Sequence, residues 1–409
     1  MRDTDDSSDL SRRGVLLAGA SVTATALAGC TGGESDDQTT EAGGSDPTTE
    51  ATTATESEET TEAETEEDET EGQSSYTVSM APVGDVTFDA VPETWEAYFP
   101  GYADMGVALG QADGLSAVGQ KARYYTSYYD ELDGVSVDKD ALVDLVGDSG
   151  IDKEIYYEVD NDVHLTDPEW LVSNDAFGLD ADDIEEVENA VGPFVGNSIF
   201  RRTDEWHDYR FYTMYEAFEK VAQVFRKEDQ YDAFASFHDD FVAEIQADLP
   251  SADARPNGLL CFAASDEPEE FSPYRLTDKG ANKKHFRDLG ISDALSGTGV
   301  EGLSESNRGQ IDYETMLEVD PDTLFVRGHE TKTRAEFEDT VLAFMQGHNV
   351  ASQLTAVENE DVYRGGPIYQ GPIQNLFLTE RFATLLYPDA YSGELFDRDE
   401  LAAIVTGDF

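Results

Sequence analysis

The chain has 409 residues, enough for one large or two medium hydrophobic cores, and its 88 acidic against 26 basic residues give a formal net charge of −62. A surface of that sign makes nucleic acid and anionic lipid headgroups poor partners. Residues 76–409 alone carry 68 acidic and 23 basic residues, so the excess covers the folded part and repels itself at low ionic strength. We therefore expect the protein to work in multimolar salt, where the Debye length falls to about 3 Å, and to gain stability against unfolding as salt is added.

Residues 1–30 read as an export signal. Ser11-Arg12-Arg13-Gly14-Val15-Leu16-Leu17 is a twin-arginine pattern, and the Ala-rich apolar stretch after it is too short to span a bilayer. It ends in Leu27-Ala28-Gly29-Cys30, a lipobox-like sequence in which Cys30 would be acylated and hold the protein to the cell membrane. Stable attachment needs two or more lipid chains. Residues 31–75 are mostly Glu, Thr, Ser, Asp and Gly without an aromatic residue, so they cannot bury enough apolar surface to order themselves and are expected to form an extended tether. Cys261 is then the one remaining cysteine, which excludes a disulfide framework, and its setting in Gly258-Leu259-Leu260-Cys261-Phe262 is that of a core thiol on a buried strand.

From Tyr76 onward strands alternate with helices and loops, the pattern of parallel-sheet α/β lobes. Strands are predicted at 77–80, 86–88 and 95–99, then a turn at Pro100-Gly101-Tyr102, a helix over 103–109 and a strand over 115–118. A helix is predicted over 182–189. Two further helices carry apolar faces, Met214, Phe218, Val221 and Phe225 on the first, Phe234, Phe237, Phe241 and Ile245 on the second. The second, about 230–249, would be roughly 30 Å long and would act as a stiff strut allowing only small hinge motion. Beyond it come a strand over 259–263, a loop over 265–275, a helix over 280–289, a strand at 323–326, a helix near 336–346, a strand over 357–363 and a helix over 374–387.

One stretch occurs twice. Residues 311–326, IDYETMLEVDPDTLFV, match residues 151–166, IDKEIYYEVDNDVHLT, at a constant offset of 160, sharing Ile, Asp, Glu, Glu, Val, Asp and Asp. Each copy reads as a short helix running into Val-Asp-x-Asp and then an apolar strand. The spacing suits one copy per lobe. The expected architecture is α/β, with two similar lobes joined by a long inter-lobe helix and a ligand cleft between them: lobes at 76–229 and 251–409, and the connecting helix at 230–250.

The lipobox and tether, the unit with Glu314 and Pro321-Asp322, the mid-chain strut and the late Ala356-Val357-Glu358-Asn359-Glu360-Asp361-Val362-Tyr363 together resemble the substrate-binding lipoproteins of ABC importers. The likeness is to the helical-backbone class that takes ferric siderophores, cobalamin or haem, here of a haloarchaeal type, and it covers about 76–391. It implies a monomeric, non-enzymatic cell-surface protein without a cofactor that captures an iron chelate and hands it to an ABC permease dimer and its ATPase. It also implies that a glutamate on each lobe meets permease arginines, and the matching positions are Glu154 and Glu314. Asn161, standing where the family pattern has Pro, is a departure in the first lobe.

A cleft for a bulky, oxygen-rich or anionic chelate needs cationic donors and flat aromatic walls. In so acidic a chain, basic residues beside aromatics in loops stand out: Arg123 with Tyr124 and Tyr125, Arg201 with Arg202, Tyr274 with Arg275, Arg308, and Arg327 with His329. Tyr102 and Tyr369 would add walls. Gly297-Thr298-Gly299-Val300-Glu301-Gly302 matches a dinucleotide fingerprint but lacks the strand before it and the helix after it. No two of His164, His207, His238, His285, His329 and His348 stand at metal-ligand spacing. The alternatives left open are an exported surface hydrolase and a binding protein for cobalamin, haem or a metal ion.

Overall fold

The computed structural model describes residues 75–147, 150–202, 204–300 and 309–409, all within the compact unit Glu69–Phe409. The leader, Cys30, the tether up to residue 74, Arg308 and the end of the glycine motif lie outside the described residues.

Strands β1 (Tyr76–Met80) and β2 (Gly84–Phe88) pair antiparallel as a hairpin of their own. The first lobe then runs β3 (Trp95–Ala97), α1 (Pro100–Ala108), β4 (Leu115–Val118), β5 (Val143–Asp144), α2 (Glu154–Val159), β6 (Val163–His164), α3 (Pro168–Val172), α4 (Ala181–Ala190) and α5 (Met214–Phe225). Its sheet has the order β5-β4-β3-β6 with every pair parallel. The predicted turn at Pro100 is the first turn of α1 instead, because proline's fixed φ suits the opening position of a helix and its missing N–H costs nothing there. Capping boxes, Asp180 with Asp183 and Thr213 with Glu216, start α4 and α5.

Helix α6 (Glu228–Asp248) is the predicted strut, 21 residues long, with Phe234, Phe241 and Ile245 buried. The second lobe follows as β7 (Asn257–Phe262), β8 (Ser272–Tyr274), α7 (Lys284–Asp288), β9 (Ser292–Asp293), α8 (Tyr313–Val319), β10 (Thr323–Arg327), α9 (Arg334–Phe337), α10 (Ala343–Gly347), α11 (Thr355–Glu358) and β11 (Val362–Arg364). Strands β11, β10 and β7 are parallel neighbours, and on the far side of β7 lie antiparallel β8 and parallel β9. Val357, read from sequence as the start of a strand, belongs to α11, and the strand proper begins at Val362. A wide turn over Glu338–Leu342 joins α9 to α10.

The repeated unit has the same local structure in both lobes. Asp160 (φ 48°) and Asp320 (φ 43°) end α2 and α8 in the left-handed conformation. Two residues on, Asp162 Oδ2 accepts the backbone N–H groups of Glu93 and Thr94 at 2.8 and 2.9 Å, and Asp322 Oδ2 accepts Asn257 N–H at 3.0 Å. Each aspartate thus ties the strand after it to the first parallel strand of its lobe, β6 to β3 and β10 to β7. Where the second copy has Pro321, Asn161 accepts the Ser116 hydroxyl of β4 at 2.9 Å, which gives the departure a purpose.

The lobes are joined by more than α6. Helix α12 (Pro372–Leu386) packs on both α1 and α7, and its first-turn N–H groups at Ile373 and Gln374 are capped by Asp104 of α1, at 2.8 and 3.3 Å. Asp104 is fully buried and takes a third bond from the Tyr129 hydroxyl at 2.7 Å. The last helix, α13 (Arg398–Thr406), which sequence reading leaves out, packs on α6 and α1, and Gln230 of α6 donates to its carbonyls at Ile404 and Val405, both at 2.8 Å. The C-terminal stretch assigned by sequence to the second lobe therefore ends against the connecting helix.

Candidate ligand-binding cleft

In open α/β sheets ligands bind beyond the carboxyl ends of parallel strands. In the first lobe that position follows β3 and holds Tyr98 and Phe99; in the second it follows β10 and β11 and holds Arg327, His329 and Tyr369. Between the lobes, Phe99, Phe200 and Tyr369 form a triangle of rings with centroids 5.1 to 5.3 Å apart. Trp170 of α3 joins from the first lobe, 5.4 Å from Phe99 and 5.6 Å from Phe200. The lobes touch here through backbone as well: Ala281 N–H donates to Ile199 O at 2.9 Å. Gly280 makes the approach possible, since a Cβ there would lie 2.1 Å from Phe200 O.

Cations collect around these rings. The Arg201 guanidinium lies over Trp170 (5.4 Å) and Phe200 (5.0 Å), held by a two-pronged bond to Asp204 at 2.6 and 2.5 Å. Burial pushes the Tyr369 phenol up from its ordinary value, and the charges of Arg123 and Arg201 oppose it. Tyr274 sits 5.9 Å from Lys283 and 5.4 Å from Arg327. Lys283 is buried against Asp278, and burial brings its ammonium down to about 8. Arg202 lies over Phe211 at 4.7 Å, with its Nε buried and without a partner among the described residues. The structure thus brings together Arg123, Arg201, Tyr274 and Tyr369 from the expected set, with Arg202 beside Arg201 on the same loop.

Other expected site residues have different duties. Tyr102 is interior: its hydroxyl donates to Asn197 O and accepts Asn197 N–H, both at 3.0 Å. Tyr124 is interior too, its hydroxyl 3.1 Å from that of Tyr129. Arg275 spends its guanidinium on the carbonyls of Leu295 (2.7 Å) and Val300 (2.6 Å), fixing a loop. Arg327 is 1% exposed and donates to Asn282 O at 2.6 Å and Gly365 O at 3.3 Å; burial lowers it to about 10. His329 is buried against Phe337, 5.5 Å between rings, and burial holds it below its ordinary value. Sequence reading missed Phe99, Trp170, Phe200 and Lys283. The last stands in Lys283-Lys284-His285, a run of cations in an acidic chain, the signal that singled out the arginines.

Glu154 and Glu314 are both exposed, in the first turns of α2 and α8, at corresponding places on the two lobes. A groove of about 1070 Å³ runs along α6 and α13, lined by Phe237, Phe241 and Phe396 and rimmed by Asp240, Glu244 and Glu400, away from the cationic cluster.

A family model for periplasmic binding proteins matches residues 97–369, more than half of the chain, both lobes and α6 included. The chain belongs to the periplasmic binding protein family. The binding protein's fold is similar to that of the petrobactin-binding protein YclQ of Bacillus subtilis, at 15% sequence identity over 77% of this chain and 99% of that chain, TM-score 0.53. It is also similar to CeuE of Helicobacter pylori with Ni(II) bound (13% identity, 81% of this chain and 96% of that chain, TM-score 0.54). A third likeness is to PiuA of Streptococcus pneumoniae, an iron uptake ABC transporter substrate-binding protein (14% identity, 76% and 98%, TM-score 0.52). A comparison with curated protein sequences gives no match. Proteins of this family are extracytoplasmic solute-binding proteins, typically non-enzymatic, and among the described residues no helix is long and apolar enough to cross a membrane.

Proposed function

We propose that this periplasmic binding protein is the cell-surface receptor of an ABC importer, that it captures an anionic iron chelate between its lobes, and that a lipid on Cys30 holds it to the membrane. The observation that carries the reading is the convergence of Arg123, Arg201, Trp170 and Tyr369 between the carboxyl ends of the two sheets, in a chain with 62 more acidic than basic residues. Guanidinium groups over aromatic rings suit flat, oxygen-rich anions. The petrobactin binding and iron uptake of its structural neighbours YclQ and PiuA agree with that chemistry. Because Arg201 is already paired with Asp204, the cation that meets the ligand first in this reading is Arg123, and Arg202 is the second.

Delivery follows from the repeat. Glu154 and Glu314 stand at equivalent sites on a two-lobed body, which suits a two-fold permease presenting basic side chains to each. Reversing both charges, Glu154→Lys with Glu314→Lys, is expected to abolish uptake while leaving chelate binding unchanged, and uptake at wild-type rate would remove the docking role.

The test of the binding role is a titration of the purified protein in multimolar salt with ferric hydroxamate and catecholate siderophores, haem and cobalamin, reading quenching of Trp170 and Trp206. We expect saturable binding by one class at micromolar affinity or better, weakened at least tenfold by Arg123→Ala. Absence of binding by every member would overturn the chelate reading.

A further inference from the structure

The first-lobe wall of the cleft lies between α4 and α5, on the described residues 198–202 and 204–209 of one loop. It carries Phe200, Arg201 and Arg202, and in its far half His207 lies 4.0 Å from Tyr209 and 3.6 Å from Phe211 just beyond the loop, ring to ring, while Trp206 lies 6.0 Å from Trp170 of α3. A loop of this length with so little regular structure needs something to hold it.

One buried carboxylate reaches its two ends. Asp167 Oδ2 accepts Ser198 N–H at 2.6 Å, where the loop begins, and the Tyr209 hydroxyl at 2.7 Å, where it ends. Its other oxygen accepts Glu169 N–H at 3.1 Å and so caps α3, the helix that carries Trp170. Asp167 is wholly buried, and the groups that reach it are neutral donors, so its charge serves no ion pair among the described residues. The chain approaches it as closely as backbone permits: a Cβ on Gly196 would lie 2.6 Å from Asp167 N. Just before Ser198, Asn197 Nδ2 donates to Arg210 O at 2.9 Å and closes the loop's neck.

We propose that Asp167 is the positioning residue of the cleft: a single carboxylate clasps the two ends of loop 198–209 onto α3 and thereby sets the Arg201 guanidinium on the Trp170 ring. The inference rests on the reading that this wall meets the ligand. Burying a carboxylate without a cation is costly, and a site of purely structural use is served as well by a neutral cap. What the carboxylate supplies is the ability to accept from three donors on three segments at once. The wall is then rigid before the ligand arrives, so less ordering is left to be done on binding.

The experiment compares the full chain with Asp167→Asn, Tyr209→Phe and, as a control for loss of a helix cap, Asp180→Ala, which uncaps the exposed start of α4. Near-ultraviolet circular dichroism reads the coupling of the Trp170 and Trp206 rings without ligand, and the siderophore, haem and cobalamin titration reads affinity. Asp167→Asn is expected to lose most of the tryptophan signature and to weaken binding at least tenfold, Tyr209→Phe to weaken it severalfold, and Asp180→Ala to change neither while lowering the unfolding midpoint. A wild-type dichroism band and wild-type affinity in Asp167→Asn would overturn the proposal, even if its stability falls. Should Asp167→Asn fail to fold, Tyr209→Phe decides in the same way, an unchanged band and affinity counting against the clasp. If the wild type binds no member of the panel the importer reading fails on its own, and the dichroism arm still decides the clasp.

Discussion

The two lobes start from one local unit and bury it differently. In the second, alternate residues of β7 and β10 face two separate cores. Leu260 and Phe325 join the large core that continues through α12 into the first lobe, while Leu259, Cys261, Leu324 and Val326 face a smaller core closed off by α8, α9, α10 and α11. Among the described residues the first lobe has no second core of that kind; its sheet belongs to the large one, and on its cleft side buried Asp167 accepts from Ser198 and Tyr209. The cleft residues of the second lobe, Ala281 and Tyr369, belong to the large core as Phe99 and Phe200 of the first do.

The largest test of this contrast is in the cores. Phe325→Ala should cost about 3–5 kcal/mol and Leu324→Ala about 2–5 kcal/mol. All three tryptophans, Trp95, Trp170 and Trp206, lie in the first lobe, so their fluorescence follows that lobe while far-ultraviolet dichroism follows the whole. For Phe325→Ala the two signals should unfold together; for Leu324→Ala dichroism should be lost ahead of fluorescence. Coincident transitions in both variants would merge the two cores into one cooperative unit.

Next comes the contact that ties the lobes. Asp104→Ala leaves the first turn of α12 and the Tyr129 hydroxyl without their acceptor and should cost about 2 kcal/mol in denaturant unfolding. The same carboxylate gives a pH signature. Burial pushes both Asp104 and Asp167 up to about 7 from an ordinary 3.8, so the folded protein holds these two protons more tightly than the unfolded chain does. Their contribution to stability is therefore full below about pH 4 and is lost as pH rises toward 7. At constant salt, Asp104→Asn should reduce that decline in the thermal midpoint by about half, and an undiminished decline would count against the assignment.

The smallest effect measures how alike the lobes are at the repeat. Asp162→Ala and Asp322→Ala each remove a carboxylate that accepts two donors, and each should cost about 1 kcal/mol. Losses differing by more than twofold would mean that the shared unit is worth more in one lobe than in the other.

Much of this architecture is legible in the chain itself. The offset of 160 residues marks both helix-to-strand units because the unit is local: a left-handed aspartate, an acceptor two residues later and an apolar strand need no distant partner to be recognised. Helix α6 is legible from its phenylalanine spacing. The short strands β5, β8 and β9, of two or three residues, are not, because a pattern of period 2 has no room to declare itself in so few positions. Helix α13 escapes because sequence gives no reason to close the chain on α6 and α1.

By itself the sequence determines the charge, the two-lobed plan, the connecting helix and the equivalent placement of Glu154 and Glu314. Only the tertiary structure decides which basic and aromatic side chains meet between the lobes. Arg275 and Arg201 read alike along the chain, each beside an aromatic residue in a loop. One is consumed by carbonyls 20 and 25 residues away, the other rests on Trp170 and Phe200. A guanidinium goes to whichever acceptors the fold brings within about 3 Å, and that competition among distant segments leaves no local trace.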